Sequence, residues 1–341
     1  MEVSKITNSY KSAIIIGVGD AGSNILNYIY KHSCYKDDID FFALNTDMQG
    51  LSALEIPLSN KLLIGEDITH RAGAGADPEK GRLSATGSSI WIENKLKSGH
   101  YPVAFIIAGM GGGTGTGAAP IIAKLCKNLG IYTIAICSTP FYFEGILRQK
   151  QATEGINKLK QNVDNIAIFS NDNIVNSNSS ITLSDAFIAS NKIFYIPIDV
   201  ILSVVLRESC YVDLYFGDVI TTLKGSKILK AASGIGIGEK RVTKAFENIK
   251  ESPFLKNLKL EESKRLLIDI SFSDTGALMS DEFSELHQFF APLPSNLDFI
   301  WGAKLDTTLK ANELKICLIT GIEDTEEVIK YNNPNKVSIE K

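Results

Sequence analysis

The chain has no long hydrophobic run, no paired cysteines, no histidine cluster and no excess of positive charge. No apolar stretch approaches the ~20 residues that cross a bilayer, so direct membrane insertion is not expected. Residues 1–11 are polar and lack the apolar core of a secretory leader. The five cysteines, Cys34, Cys126, Cys137, Cys210 and Cys317, are scattered, and none forms a C-x-x-C pair. Cys126, Cys137 and Cys317 sit in apolar runs and read as reduced core residues, which suits a cytoplasmic protein. The four histidines share no ligand spacing, so no side-chain metal site is expected. A net charge of −4 argues against nucleic acid as the main partner, since a phosphate backbone selects basic faces. Repeats and low-complexity tracts are also missing.

What the 341 residues do contain is room for two domains and one unusual stretch, Gly109-Met110-Gly111-Gly112-Gly113-Thr114-Gly115-Thr116-Gly117. The apolar run 103–108 leads in, and 118–129 leads out as a helix. A glycine turn between strand and helix lets backbone N–H groups close on an anion, with the helix N-terminus adding partial positive charge. Thr114 and Thr116 can add hydroxyls. No lysine follows, so this is not a Walker A loop. A phosphate site of this kind must rely on amides, a helix dipole and a metal.

A second glycine turn follows the β-branched run 12–16: Gly17-Val18-Gly19-Asp20-Ala21-Gly22-Ser23-Asn24. Its G-x-G-x-x-G spacing also fits a dinucleotide-binding fingerprint, in which Asp47, closing the second strand, would hold a ribose. The glycine loop 109–117 has no place in that scheme. Arg71-Ala72-Gly73-Ala74-Gly75-Ala76-Asp77-Pro78 offers small residues for close backbone approach, then a cap and a first-turn proline; on its own it also reads as an ordinary capped loop. Glu144 and Arg148, taken alone, are an i,i+4 surface pair worth ~0.3–0.5 kcal/mol. Together 12–172 gives about six strand–helix units with continuously apolar strands. That implies an α/β fold: a doubly wound, mostly parallel sheet with ligands at the strand C-terminal ends.

These motifs resemble the tubulin/FtsZ family of GTP-binding filament proteins, and 108–120 resembles its FtsZ, cell-division branch. The resemblance runs over about 12–322. The first loop ends in Asn24 and the second strand in Asn45-Thr46-Asp47, as in the family. The resemblance implies that Gly19, Asp20, Ala21, Gly22, Ser23, Asn24, Asn45 and Asp47 line a guanine-nucleotide site. Ala74, Gly75 and Ala76 would meet the γ-phosphate, and Gly111, Gly112, Gly113, Thr114, Gly115, Thr116 and Gly117 the phosphate chain. Thr139-Pro140-Phe141-Tyr142-Phe143-Glu144-Gly145 matches the family's ribose segment, which implicates Pro140, Glu144 and Arg148. Ser184-Asp185-Ala186-Phe187, with Asn191 a turn later, resembles its guanine-reading turn. Phe187 would stack on the base and Asp185 accept its N–H groups; alone, Phe187 reads as well as a core aromatic. GTP or GDP is the implied ligand, with Mg²⁺ held mainly through phosphates and water.

The resemblance further implies a GTPase that polymerises head-to-tail, as a heterologous interface does, in the division machinery of the cytoplasm and with adaptor proteins as further partners. Hydrolysis would depend on assembly: a loop after the central helix, with the pattern Asn-x-Asp-x-x-Asp, enters the neighbour's site. Here that stretch is Tyr211-Val212-Asp213-Leu214-Tyr215-Phe216-Gly217-Asp218. Either Asp213 stands at the Asn and Tyr215 at the first Asp, or Asp213 is the first carboxylate and Leu214-Tyr215 an insertion. Asp213 and Asp218 are the candidate catalytic groups. A phenol with pKa near 10 is a poor base, so the substituted reading implies slow turnover. A paralogue that binds GTP and polymerises with little hydrolysis is the alternative; a dinucleotide-dependent oxidoreductase is a weaker one.

The expected layout is a GTP-binding domain over 1–180, a central helix over 181–210 carrying Pro197 (a mid-helix proline costs ~3 kcal/mol or kinks the helix), an α+β domain over 211–325 and a polar tail over 326–341. Gly234, Gly236 and Gly238 read as structural, since a basic helix follows them. Residues 336–341 lack an apolar-plus-basic helix, so membrane tethering by that route is not expected.

Overall fold

The computed structural model describes residues 11–172, 182–206, 211–252, 255 and 263–324. The expectations for the N-terminal segment 1–10, Cys210, the tail 326–341 and the Phe187 side chain lie outside the described residues. Two compact units divide the chain: Met1–Ile136 with Glu144–Asp164, and Cys137–Phe143 with Asn165–Lys341.

The first unit is built on parallel strands. β1 (Ala13–Val18) is buried at every position, as a strand covered on both faces must be. It pairs in parallel with β2 (Ile39–Asn45) and β4 (Val103–Gly109). β3 (Lys61–Leu63) extends the β2 edge, and β5 (Tyr132–Thr139) starts beyond β4. Register decides where function sits: Val18 is level with Leu44 on one side and with Ala108 on the other. The segments after all three strands therefore emerge side by side. The connections are helical: α1 (Gly19–His32), short α2 (Met48–Ser52) and α3 (Glu66–Thr69), α4 (Pro78–Gly87), α5 (Ser89–Gly99), α6 (Thr114–Asn128) and α7 (Ile146–Lys160). The sequence reads as one helix from Pro78 to Lys97; the chain instead breaks at Ser88, after Gly87. Cys126 lies wholly buried, and burial pushes its thiol up to about 12.

The second unit is mixed, with strand order β6-β7-β10-β8-β9. β6 (Asn165–Ser170) runs parallel to β7 (Ile228–Ile237), which is antiparallel to β10 (Glu313–Ile322). β10 is antiparallel to β8 (Arg265–Phe272), and β8 is parallel to edge strand β9 (Asp298–Leu305). α8 (Leu183–Leu206) packs on β7 and β10, α9 (Phe216–Leu223) follows the 211–215 segment, and α10 (Arg241–Lys250) and α11 (Ser280–Phe290) close the core. Gly234 and Gly236 have α10 backbone where side chains would be, at Ala245 O and Arg241 O, which makes them packing glycines as the sequence implies. Cys137 and Cys317 are buried.

One expectation needs correcting. Ile188–Leu206 of α8 is, by length and composition, apolar enough to cross a membrane. Lys192, Pro197 and Asp199 interrupt it in sequence and hide its overall character. Phe194, Ile198, Val200, Ile201 and Leu202 are buried inside the protein, and Asp199 pairs with Lys315 at 3.4 Å. That is the behaviour of a core helix, and the helix passes through Pro197 unbroken.

Candidate functional site

Four segments of the first unit are tied to one another at the strand ends. The Asn45 amide donates to Asp20 Oδ1 at 2.7 Å, joining the β2 end to the first turn of α1. Its own Oδ1 accepts the Thr46 N–H at 2.8 Å, which fixes the turn that follows. The Thr46 hydroxyl meets the Thr114 hydroxyl at 2.6 Å, and the Thr46 carbonyl accepts the Gly73 N–H at 3.1 Å. Thr46 thus holds both the glycine loop and the 71–77 loop. The sequence quotes it only as the middle of Asn-Thr-Asp; its partners lie 27 and 68 residues away, which no local pattern reveals.

The glycines divide by role. Gly19 and Gly111 have φ of +70° and +100°, the left-handed region that favours glycine. Gly22 lies against Ile107 O and Gly117 against Pro78 O, leaving no room for a side chain between the packed elements. A Cβ at Gly113 would stand 2.7 Å from the Ala74 Cβ, so the 109–117 loop rests on the 71–77 loop. Gly112 and Gly75 are different: a Cβ there would meet no atom within 4 Å. They border free space rather than protein. Gly112→Ala is therefore expected to leave thermal stability within about 1 kcal/mol of wild type while weakening GTP affinity about tenfold or more, read by calorimetry with the melting curve beside it. An unchanged affinity would remove Gly112 from the ligand site.

Several features fit a run of phosphates. α1 and α6 begin at this cluster, and no side chain caps either N-terminus. Their first N–H groups and dipoles therefore remain available to an anion. Ser23 Oγ is buried with no partner. The 70–76 loop holds His70, Arg71 and Ala76 at positive φ, alongside Gly73 and Gly75. Such strain in non-glycine residues costs of order 1–3 kcal/mol each and clusters where backbone geometry serves a ligand. The Thr116 hydroxyl accepts the Gly111 N–H at 2.9 Å, so its first task is to close the glycine loop. Asp20 and Asp47 flank Gly50, whose Cβ would be 3.1 and 3.3 Å from their carboxylate oxygens. Among the described residues no group of three His, Cys, Asp or Glu side chains could hold a metal. A cation there would need phosphate and water oxygens as ligands.

The other candidate residues are placed as follows. Ala21 and Asn24 are exposed on α1, and Ala74 is buried. Asp47 caps α2, accepting from Gln49 N–H at 3.0 Å and Gly50 N–H at 3.1 Å, one bond to each carboxylate oxygen. Glu144 and Arg148 form an ion pair at 2.5 Å at the start of α7. In the second unit Pro140 is buried, and Phe141 stacks on Phe143 at 5.1 Å. Asp185 exchanges hydrogen bonds with Thr182, a helix cap that the sequence reading did not identify; Asn191 is half-buried on α8. Ser170 Oγ and Asn171 Oδ1, at the end of β6, are buried without partners.

In the 211–218 segment, Asp213 is exposed and Leu214 buried. Tyr215 is 66% exposed. It occupies the N-cap of α9 with extended backbone, φ −117° and ψ 166°, and no side-chain cap bond. Asp218, in the first turn, accepts the Tyr215 N–H at 2.8 Å.

A family model described as "Tubulin/FtsZ family, GTPase domain" matches residues 12–179. The chain is 33% identical over 322 residues to the cell division protein FtsZ of Porphyromonas gingivalis, covering 94% of this chain and 69% of that protein. It is 35% identical over 315 residues to the cell division protein FtsZ of Aquifex aeolicus, covering 89% and 84%. An empty FtsZ dimer from M. jannaschii superposes with a TM-score of 0.77 at 28% identity, over 92% of this chain and 89% of that one. GDP-bound CetZ1 from Haloferax volcanii superposes at 0.79 with 18% identity, over 94% and 97%, a likeness of fold alone.

Proposed function

The chain belongs to the tubulin/FtsZ family, and from that membership we propose that it binds GTP in its first unit and assembles head-to-tail into filaments whose hydrolysis is completed across the subunit contact. The observation that carries this reading is the cluster of tied loops around two uncapped helix N-termini, with open space over Gly112 and Gly75. Backbone amides of 19–24 and 111–117 hold the phosphates, and 74–76 meets the terminal one. Glu144 and Arg148 take the sugar side. Mg²⁺, when bound, neutralises charge on the β- and γ-phosphates.

Assembly needs two unlike surfaces. Tyr142, Phe143, Ile146 and Leu147 are 56–87% exposed beside the sugar-binding pair. Tyr211 and Tyr215 are 64% and 66% exposed on the loop that bears Asp213. Apolar groups left in water at both places support a heterologous, propagating contact. In that contact Asp213 and Asp218 orient the attacking water, so turnover requires a neighbour. The relatives are cell division proteins, which supports a role in cell division; a cytoplasmic location and adaptor proteins as further partners are proposed with it.

The test is phosphate release from GTP against protein concentration, with sedimentation in parallel. Turnover should rise above a concentration threshold and vanish in Asp213→Ala and Asp218→Ala while both variants still pellet. Turnover that is linear in protein from the lowest concentrations would rule out the shared site. In the alignment that sets Tyr215 against the family's first carboxylate, a second reading is favoured: a filament scaffold with little hydrolysis. It predicts pelleting with GTP and negligible phosphate release.

A further inference from the structure

We infer that three consecutive residues of edge strand β9, Gly302, Ala303 and Lys304, are positioning residues for the loop that presents Asp213 to the neighbouring subunit. The inference rests on the proposed role of that loop in hydrolysis. Gly302 and Ala303 touch the loop itself, and Lys304 holds the helix that precedes it.

Ala303 and Val212 exchange both backbone hydrogen bonds, N–H to O at 3.1 Å in each direction, an isolated antiparallel bridge. The bridge fixes the register of the loop on the sheet edge. Gly302 makes the seat for Leu214. A Cβ at 302 would lie 2.6 Å from both Leu214 Cγ and Cδ1, and 3.1 Å from Val212 O. Leu214 is 7% exposed because that side chain is missing. Lys304 acts on the other side, at the preceding helix. Its ammonium, 1% exposed, donates to Ser203 O in the last turn of α8 at 2.5 Å. It is balanced by Asp269 at 2.8 Å, which also accepts from Ser271 at 3.3 Å. A cation on a C-terminal carbonyl is the favourable sense of the helix dipole.

One strand thus holds both the last turn of α8 and the 212–214 segment. With Val212 bridged and Leu214 turned in, Asp213 between them is turned out to solvent. A loop fixed on a rigid element keeps a reacting group within a narrow range of positions, and a displacement near 1 Å can cost about a hundredfold in rate.

The experiment compares full-length wild type, Gly302→Ala, Leu214→Ala and the double variant. GTP turnover is measured above the assembly threshold, and amide hydrogen exchange at Val212 and Ala303 in the same preparations. Gly302→Ala should lose protection at both amides and drop kcat about a hundredfold, at unchanged KM and unchanged pelleting. Leu214→Ala, which adds no clash and keeps the chain folded if Gly302→Ala does not, should lose protection at Val212. The double variant, with space restored, should regain protection and most of the turnover. Wild-type protection and kcat in Gly302→Ala would overturn the inference, as would a folded double variant no better than the single. The two readouts separate this claim from the one beneath it. Protection that follows the expected pattern in a wild type without turnover upholds the positioning and sinks the hydrolytic role. Asp213-dependent turnover that ignores Gly302→Ala upholds the role and sinks the positioning.

Discussion

Tyr215→Asp is expected to raise GTP turnover roughly a hundredfold and, in the same molecule, to raise stability by about 1 kcal/mol. Both effects follow from one position. Tyr215 is the N-cap of α9, with the extended backbone a cap requires but no side-chain oxygen on the first N–H groups. Asp218 already reaches back to the Tyr215 N–H at 2.8 Å, which is one arm of a capping box. Aspartate at 215 would supply the other arm. It would also set a second carboxylate near Asp213. The preference for aspartate at this cap favours the alignment in which Tyr215 replaces a carboxylate. The insertion alignment makes Asp213 the first carboxylate and leaves nothing to restore. Phosphate release above the assembly threshold, with thermal melts beside it, separates the two. A melt raised without a change in rate would mean that 215 is a cap and nothing more.

Glu282→Ala is expected to cost the second unit about 3–5 kcal/mol, because it strands a buried cation. Arg241 is 7% exposed in its side chain and Glu282 11%, and the two meet through paired contacts at 2.5 and 3.0 Å. The same guanidinium donates to the carbonyls of Gly276 and Ala277 at 2.9 and 3.0 Å, and of Ala311 and Glu313 at 3.2 and 3.3 Å. One side chain therefore joins α10, α11 and two turns. Burial works against the Glu282 charge, but the Arg241 hydrogen bonds, the Met279 N–H and the guanidinium charge together hold its carboxyl below the usual range. A carboxyl depressed in the folded state contributes stability that is complete above the unfolded value, near 4.5, and is lost as pH falls through the folded one. Wild type should thus lose stability in that acid window, and Glu282→Ala should not show this part of the loss. Urea unfolding followed at Trp301, in a Trp91→Phe background, reads the second unit. A loss under 1 kcal/mol would show that Arg241 is satisfied by carbonyls alone. Arg241→Met with Glu282→Leu should recover most of the loss, since no charge is left unpaired.

Much of the fold was legible because single residues carried it. The β-branched run at 12–16 read as a buried parallel strand, and the 17–22 and 109–117 glycines marked the turns after β1 and β4. Gly234 and Gly236 were read correctly as structural from the basic helix that follows. The misses are of another kind. The break at Ser88 needs only one residue to leave helical geometry, and nothing apolar changes there. α9 was hidden inside a segment read for its carboxylates. Within the site, chemistry-bearing residues were named from their types. The ties between them were not, because Thr46–Thr114 and Asn45–Asp20 join segments distant in sequence. The Val212–Ala303 bridge and the Leu214 seat are equally non-local.

The contacts that Thr46 makes also bear on what a ligand must do on arrival. Loops that already brace one another have few configurations left to lose, so an incoming nucleotide gives up mainly its own tumbling and internal rotations. The protein's share of the entropic penalty was met when the chain folded, and it is reflected in the left-handed backbone of His70, Arg71 and Ala76. A pocket rigidified in this way treats the portion of the molecule common to di- and triphosphate alike. Under the proposed reading, discrimination between them is left to the strained 70–76 segment, the part of the cradle with the most to gain from an extra charged group.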